Sequence, residues 1–181
     1  MQQFNDSPEG QFVRRLLGMF DEYQSIETSK HVTRSLHENA IQGFWNGGTT
    51  PFGYRIVEVE KRDKTSKKDL APEEEDTALM RQIFSRFLEG DGKQGPMGIK
   101  AIINWLNERG YRTRGGKKWG VSVLHRMLRD AVYAGNFVFK SSQNCGADVS
   151  IPVPAIIEKP EFDTIQQIVT DRNPKKIHLG S

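Results

Sequence analysis

The chain has 181 residues, of which 36% are hydrophobic and 27% charged, and its formal net charge is +3. This length accommodates one compact domain and an additional segment. The sequence contains no run of about 18 apolar residues, so a membrane span is not expected. The single cysteine, Cys145, excludes an internal disulfide and a cysteine-based zinc site, and a reducing, cytoplasmic setting is expected.

Charge is strongly segregated along the sequence. Residues 69–91 contain seven acidic and two basic side chains, whereas residues 99–140 contain nine basic and two acidic ones. A net charge of +7 over one segment indicates a polyanionic partner such as nucleic acid. The alternative is that these basic side chains only form a solvated surface.

Residues 7–44 are predicted to form one long helix. Ser7 is a favourable N-cap, Pro8 suits the first helical position, and apolar residues recur along one seam at helical spacing. At about 1.5 Å per residue such a helix is longer than roughly 50 Å, so one small domain cannot cover its seam. We therefore expect the first half of the seam to pair with another copy of the chain or with a domain outside this sequence. The candidate oligomerisation residues are Phe12, Leu16, Phe20 and Tyr23.

The pattern beyond this helix predicts short strands and further helices. Glycines and aromatic residues alternate in an extended link at 43–54. We predict a hairpin from strands at 54–60 and 69–72 joined by a polar turn. Helices are predicted at 72–92, 97–110 and 120–135. A strand at 136–140, a return strand within 143–157 and a helix at 159–174 complete the prediction. The expected fold class is α+β and mainly helical, with a long N-terminal helix followed by a small helix-turn-helix-like domain with short β-hairpins. The predicted inward positions include Ala78, Leu79, Ile83 and Val121.

The segment RGGKKWGVSVLHRMLRD, residues 114–130, joins a basic link to an amphipathic helix. Trp119 is best interpreted as a core anchor. The side chains of Ser122, His125, Arg126 and Arg129 fall on one stripe, opposite the apolar residues. Such a stripe suits a DNA major groove, where an arginine can bind guanine in a bidentate manner. Lys117 and Lys118, next to free amides at the helix start, suit phosphates.

The sequence offers no catalytic or metal-binding arrangement. The acidic run at 73–75 is explained by the dipole of the helix that it begins. The glycine pairs at 47–48 and 115–116 match no nucleotide-binding loop. A narrow Gly47-Gly48 link would instead fit a DNA minor groove. We therefore expect no catalytic residue, metal, cofactor or small-molecule ligand.

Two segments together resemble a known family. The first is SPEGQFVRRLLGMFDEYQSIETSKHVTRSLHENAIQGFWNGGTTPFGY, and the second runs from Ile99 to Phe139. The sequence is similar to the large serine recombinases, the first segment to the helix that ends their catalytic domain and the second to their DNA-binding domain. The residues that carry the resemblance are Gly53, Tyr54, Leu106, Asn107, Gly110, Thr113, Gly116, Trp119, Val123, Leu128, Tyr133 and Gly135. Asp130-Ala131 stands where that family often has Asn-Pro.

The resemblance implies the DNA-binding portion of a site-specific recombinase from a bacterium or phage. Such a protein binds double-stranded attachment-site DNA for integration or excision of a mobile element. The family's nucleophilic serine lies in a catalytic domain that this sequence lacks, so the chain is expected to be inactive alone. The implied domains are the helix at 1–45, the link at 46–54, the DNA-binding domain at 55–174, and a tail at 175–181 leading towards a zinc ribbon.

By the same resemblance, the link from Phe44 to Thr50 tracks the minor groove and the following domain reads the adjacent major groove. The expected DNA-contacting residues are Trp45, Asn46, Gly47, Gly48, Thr49, Arg112, Arg114, Lys117, Lys118, Ser122, His125, Arg126 and Arg129. Two other functions stay open: a protein-interaction module assembled through the long helix, and a helix-turn-helix transcription regulator.

Overall fold

A computed structural model describes residues 7–62, 65–92, 95–141 and 147–171. The elements in chain order are α1 (Pro8–Ile41), β1 (Tyr54–Arg62), β2 (Thr65–Pro72), α2 (Glu74–Leu88), α3 (Ile99–Glu108), α4 (Val121–Leu128), a 3-10 turn (Ala131–Ala134), β3 (Asn136–Phe139), β4 (Val149–Pro152) and α5 (Lys159–Asp171). The predicted α+β, mainly helical class with short hairpins is confirmed.

Helix α1 begins as its sequence predicts and leaves most of its surface exposed. The hydroxyl of Ser7 accepts a hydrogen bond from the Gly10 amide at 3.2 Å, and Pro8 is the first helical residue. The C-terminal end packs on the domain through Ala40, which is buried. The apolar seam further back is exposed, with Phe12 at 64% and Phe20 at 63% of their possible accessible surface. The described part of the chain therefore does not cover the seam.

Strands β1 and β2 form an antiparallel hairpin in which Tyr54 pairs with Pro72. Both strands are longer than the predicted segments at 54–60 and 69–72. Residues that the sequence assigns to a polar turn pair across the hairpin instead, as Lys67 does with Glu60. Opposite charges on facing positions favour this pairing. Residues 63–64, between the strands, lie outside the described residues.

Helices α2, α3 and α4 pack around one hydrophobic core. The central side chains are buried and include Met80, Phe84, Ile102, Leu106 and Leu124. The ring of Tyr133 extends this core and meets Phe84 edge-on, with 5.5 Å between ring centroids. Burial of this apolar surface holds the helices in a fixed arrangement.

Two predicted inward positions were wrong. Ala78 is exposed, because the buried Thr77 hydroxyl donates to the Gly53 carbonyl at 2.8 Å and fixes the rotation of α2. Val121 is 49% exposed, because it is the first residue of α4 and lies one turn before Leu124, the first buried residue of this helix.

The helix predicted at 120–135 was wrong at its C-terminal end. Helix α4 ends at Leu128, and Asp130 then accepts a hydrogen bond from the Val132 amide at 3.2 Å. This local bond competes with helix continuation and starts the 3-10 turn. The chain then enters β3, which pairs antiparallel with β4.

Helix α5 closes the core from the C-terminal side. Phe162, Ile165 and Val169 are buried, and the Gln166 amide donates to the Leu128 carbonyl at 2.7 Å. The last residues of the helix predicted at 159–174, the tail at 175–181 and Cys145 lie outside the described residues. In the described ranges, no helix combines the length and the apolar character that crossing a bilayer requires.

Candidate nucleic-acid interface

The basic segment between α3 and α4 is a tight turn. The Thr113 amide donates to the Lys117 carbonyl at 2.9 Å, and the Gly116 amide donates to the Thr113 carbonyl at 2.7 Å. Gly116 has φ +71°, which other residues adopt at a cost. The turn displays Lys117 and Lys118 at the surface, where both side chains are exposed.

Asn107 and Trp119 fix this turn to the core. The Asn107 side chain accepts from the Trp119 amide at 2.9 Å and donates to the Trp119 carbonyl at 3.1 Å. The Trp119 ring is 3% exposed and meets Phe52 edge-on at 5.1 Å. The prediction that Trp119 is a core anchor is confirmed. That Asn107 holds this turn was not predicted from the sequence. The only indication was that Asn107 is among the residues that carry the resemblance to the recombinases.

Helix α4 separates polar from apolar residues. Ser122, Arg126 and Arg129 are exposed and His125 is half-buried, whereas Leu124, Met127 and Leu128 are buried. The N-cap residue of α4, Gly120, has no side chain to bond the first amides of this helix. Unbonded amides at a helix start favour anions. The start of α4 and the two lysines therefore provide adjacent positive potential.

Most of the exposed basic side chains in this region have no acidic partner among the described residues. No described carboxylate lies within ion-pair distance of Arg112, Lys117, Lys118 or Arg129. Arg126 lies near Asp130: desolvation raises the pKa of that carboxyl, while the Val132 amide and Arg126 oppose the rise. The surface formed by Arg112, Lys117, Lys118, Ser122, Arg126 and Arg129 is called the basic surface below.

Arg114 differs from its basic neighbours because its guanidinium faces the protein. Its Nη1 donates to the Thr50 carbonyl at 3.4 Å, and its Nη2 donates to the Tyr54 carbonyl. The same Nη2 lies 3.5 Å from a carboxylate oxygen of Asp76. These contacts place the extended link directly beside the basic turn.

The link from Trp45 to Thr49 has two parts with different surroundings. Trp45 is 5% exposed, and its ring packs on Phe137 with 4.5 Å between centroids. The Asn46 side chain donates to the Leu36 carbonyl at 2.7 Å, so it also supports the end of α1. Gly47, Gly48 and Thr49 are exposed. The exposed part of the link thus runs from Gly47 to Thr49.

The predicted oligomerisation residues lie elsewhere. Phe12, Leu16, Phe20 and Tyr23 are all exposed in the N-terminal half of α1, at the opposite end of that helix from Trp45. Across the described ranges, histidine, cysteine and acidic side chains form no group of three or more that could hold a metal ion.

Two solved structures share this fold. One, described as "Crystal Structure of a LSR-DNA Complex", aligns with a TM-score of 0.52 and 18% identity over 83% of this chain and 41% of its own. Another, from work on "Sequence Requirements of the Listeria innocua prophage attP site", aligns with a TM-score of 0.52 and 18% identity over 80% of this chain and 54% of its own. This chain therefore spans about half, or less, of the proteins that it matches.

A family model described as Recombinase matches residues 72–172, which is more than half of the 181 residues. This range includes the basic turn, α4 and the core beneath them. The resemblance to the large serine recombinases, inferred from the sequence, is confirmed by this match together with the shared fold. The chain belongs to the recombinase family.

Proposed function

We propose that this chain is the DNA-binding portion of a site-specific serine recombinase, acting in the cytoplasm. It binds double-stranded attachment-site DNA for strand exchange. Residues 55–174 form the DNA-binding domain, residues 46–54 the link and residues 1–45 the long helix. In this account the basic surface faces the major groove, and Gly47 to Thr49 lie over the adjacent minor groove.

The observation that carries the proposal is the basic surface itself. Its cationic side chains are exposed, and four of them lack a described acidic partner. Lys117 and Lys118 directly precede the start of α4, whose N-cap residue has no side chain to bond the first amides, and Arg126 and Arg129 lie at the other end of this helix. Phosphate contacts from such groups supply most of the affinity of proteins for DNA. The exposed stripe of α4 provides the polar side chains that a major groove can accept.

The family match supports the same interpretation, as do the DNA complex named for one fold relative and the prophage attP site named for the other. A transcription regulator of helix-turn-helix type would bind operators rather than attachment half-sites. Competition between attachment half-site duplexes and unrelated duplexes of equal length separates these two functions.

Fluorescence anisotropy with a labelled duplex at several salt concentrations tests the proposal. The parent should lose affinity steeply with salt, and the triple variant Lys117→Ala, Lys118→Ala, Arg126→Ala should bind more weakly. The slope of log K against log salt should become shallower by about 0.9 for each phosphate that the variant no longer binds. Lys159→Ala, which removes one charge from α5, serves as the control and should keep the parental slope. A triple variant with the parental slope would contradict the proposal.

The exposed seam of α1 supports self-association as a second role. Large apolar side chains at Phe12, Phe20 and Tyr23 are each more than 60% exposed. Contiguous exposed apolar surface of this kind marks an interaction site. We propose that another copy of the recombinase covers this seam.

Sedimentation velocity over a range of protein concentrations tests this role. Phe20→Glu should abolish a concentration-dependent dimer, because it places a carboxylate in the apolar seam. Ser25→Glu adds the same charge on the other side of α1 and should leave the dimer intact. A parent that stays monomeric at every concentration would exclude self-association through α1 alone.

A further inference from the structure

Arg114 connects three parts of the chain that are distant in sequence. Its guanidinium donates to the Thr50 and Tyr54 carbonyls of the link and pairs with Asp76 in the first turn of α2. Arg114 itself belongs to the basic turn between α3 and α4. One planar group therefore joins the link, the basic turn and α2.

The stretch of the link that Arg114 holds is also fixed from its other side. The Gly53 carbonyl accepts from the Thr77 hydroxyl at 2.8 Å and from the Glu73 amide at 2.9 Å. The buried Tyr54 hydroxyl lies within hydrogen-bond distance of the Val132 and Pro154 carbonyls, at 2.9 and 2.8 Å. Arg114 is thus the polar contact that ties this anchored stretch to the basic turn, in addition to the packing of Phe52 on Trp119.

We infer that Arg114 is a positioning residue and not a phosphate contact, an inference that rests on the proposed function. It holds Gly47–Thr49 and the basic surface at the separation that adjacent minor and major grooves require. Arg112, two residues away, provides the contrast. It is exposed, and its one described bond runs to the Tyr111 carbonyl of its own turn.

The chemistry of the side chain explains why arginine is needed. A guanidinium is a rigid fork that can bond two carbonyls and a carboxylate together, whereas a lysine ammonium is a compact point charge. Asp76 also offsets the charge that Arg114 would otherwise present to DNA. Arg114→Lys therefore keeps the charge but removes this set of bonds, which separates positioning from phosphate binding.

The first measurement uses the protein without DNA. Nitroxide labels are attached at Thr49→Cys and Ser122→Cys, two exposed positions, in a Cys145→Ser background, and their separation is measured by pulsed dipolar spectroscopy. The parental distribution should be narrow, and both Arg114→Ala and Arg114→Lys should broaden it. Arg112→Ala should not. A second pair at Ser122→Cys and Gln167→Cys should stay narrow in every variant, which shows that the domain remains folded.

The second measurement is DNA affinity against salt for the same variants without labels. Arg114→Ala and Arg114→Lys should each bind about three- to tenfold more weakly, the reduction expected for one or two net hydrogen bonds, with the parental salt slope. Arg112→Ala should bind more weakly with a slope shallower by about 0.9.

The outcomes separate this inference from the proposed function. An unchanged distance distribution in Arg114→Ala overturns the positioning role, whatever the DNA result. Parental affinity in Arg114→Lys, or a shallower salt slope in Arg114→Ala, would make Arg114 a phosphate contact and overturn the inference. A parent that binds no DNA overturns the proposed function, and the distance measurement then decides by itself whether Arg114 positions the link.

Discussion

At the scale of the residue, one amide side chain fixes the start of the basic helix. Asn107 bonds both the amide and the carbonyl of Trp119, at 2.9 and 3.1 Å. These two bonds hold the backbone immediately before Gly120, the N-cap of α4. The direction of α4 therefore depends on a residue that belongs to α3.

Asn107→Ala should lower the free energy of unfolding by about 1–3 kcal/mol, because it leaves two partly buried backbone groups without their partner. Asn107→Asp keeps the acceptor for the Trp119 amide and should lower it less. Urea unfolding monitored by circular dichroism measures both changes. Equal stability of the alanine variant and the parent would show that these bonds contribute nothing.

Two buried tyrosines give the stability a specific pH dependence. Burial, followed by the nearby Asp130, raises the pKa of the Tyr54 and Tyr133 hydroxyls. The unfolded chain releases these protons near pH 10, the ordinary value for tyrosine, while the folded chain retains them. Their contribution to stability is therefore complete below about pH 10 and is lost as the pH rises above it.

The free energy of unfolding should fall as the pH rises above about 10, and Tyr133→Phe should reduce this fall. Tyr23→Phe, at an exposed position in α1, should leave the pH dependence unchanged. Urea titrations at each pH provide the measurement. An identical pH dependence in the parent and Tyr133→Phe would contradict the assignment of the effect to this buried hydroxyl.

At the scale of the element, the link depends on a glycine at one crowded position. Gly53 has φ +92°, and a Cβ there would lie 2.9 Å from Ile156 Cδ1 and 3.4 Å from Met80 Cγ. Gly48 has a similar φ of +98°, but a Cβ there would meet nothing within 4 Å. Alanine substitutions at the two glycines therefore separate the cost of backbone strain from the cost of steric overlap.

Gly48→Ala should cost about 1–2 kcal/mol of stability, from the left-handed backbone alone. Gly53→Ala should cost this amount and about 1–3 kcal/mol more, because the added methyl group crowds the core. Thermal unfolding of the two variants compares them directly. An equal decrease in both would mean that Ile156 moves aside without cost.

The sequence predicted the elements well where local chemistry decides them. Ser7 and Pro8 define the start of α1, and Leu79 and Ile83 on the predicted apolar side of α2 are buried. It did not predict the end of α4, where the Asp130 side chain bonds the Val132 amide, or the longer hairpin, which depends on pairing between strands. Such features need partners that periodicity does not reveal.

The candidate site was predictable as a basic region but not as a geometry. Charge segregation indicated the segment around Lys117 and Lys118, and helical spacing grouped Ser122 with Arg126. Neither signal distinguishes Arg112 from Arg114, which point to solvent and to the link respectively. The buried position of Trp45 also depends on a distant partner, Phe137.

At the scale of the whole molecule, the chain combines an anchored domain with a projecting helix. The core beneath α2, α3, α4 and α5 holds the basic surface, while the apolar seam of α1 is left exposed. The proposed DNA binding and the proposed self-association therefore use separate surfaces. Each function should be separable by mutation without loss of the other.

The central claim is that DNA binds the basic surface and the exposed link. Amide hydrogen exchange, measured by mass spectrometry with and without an attachment-site duplex, tests it most directly. The account predicts slower exchange in peptides covering 46–50 and 111–129 when DNA is present, and unchanged exchange over 159–171. Protection confined to α5, or no protection with DNA bound, would contradict the account.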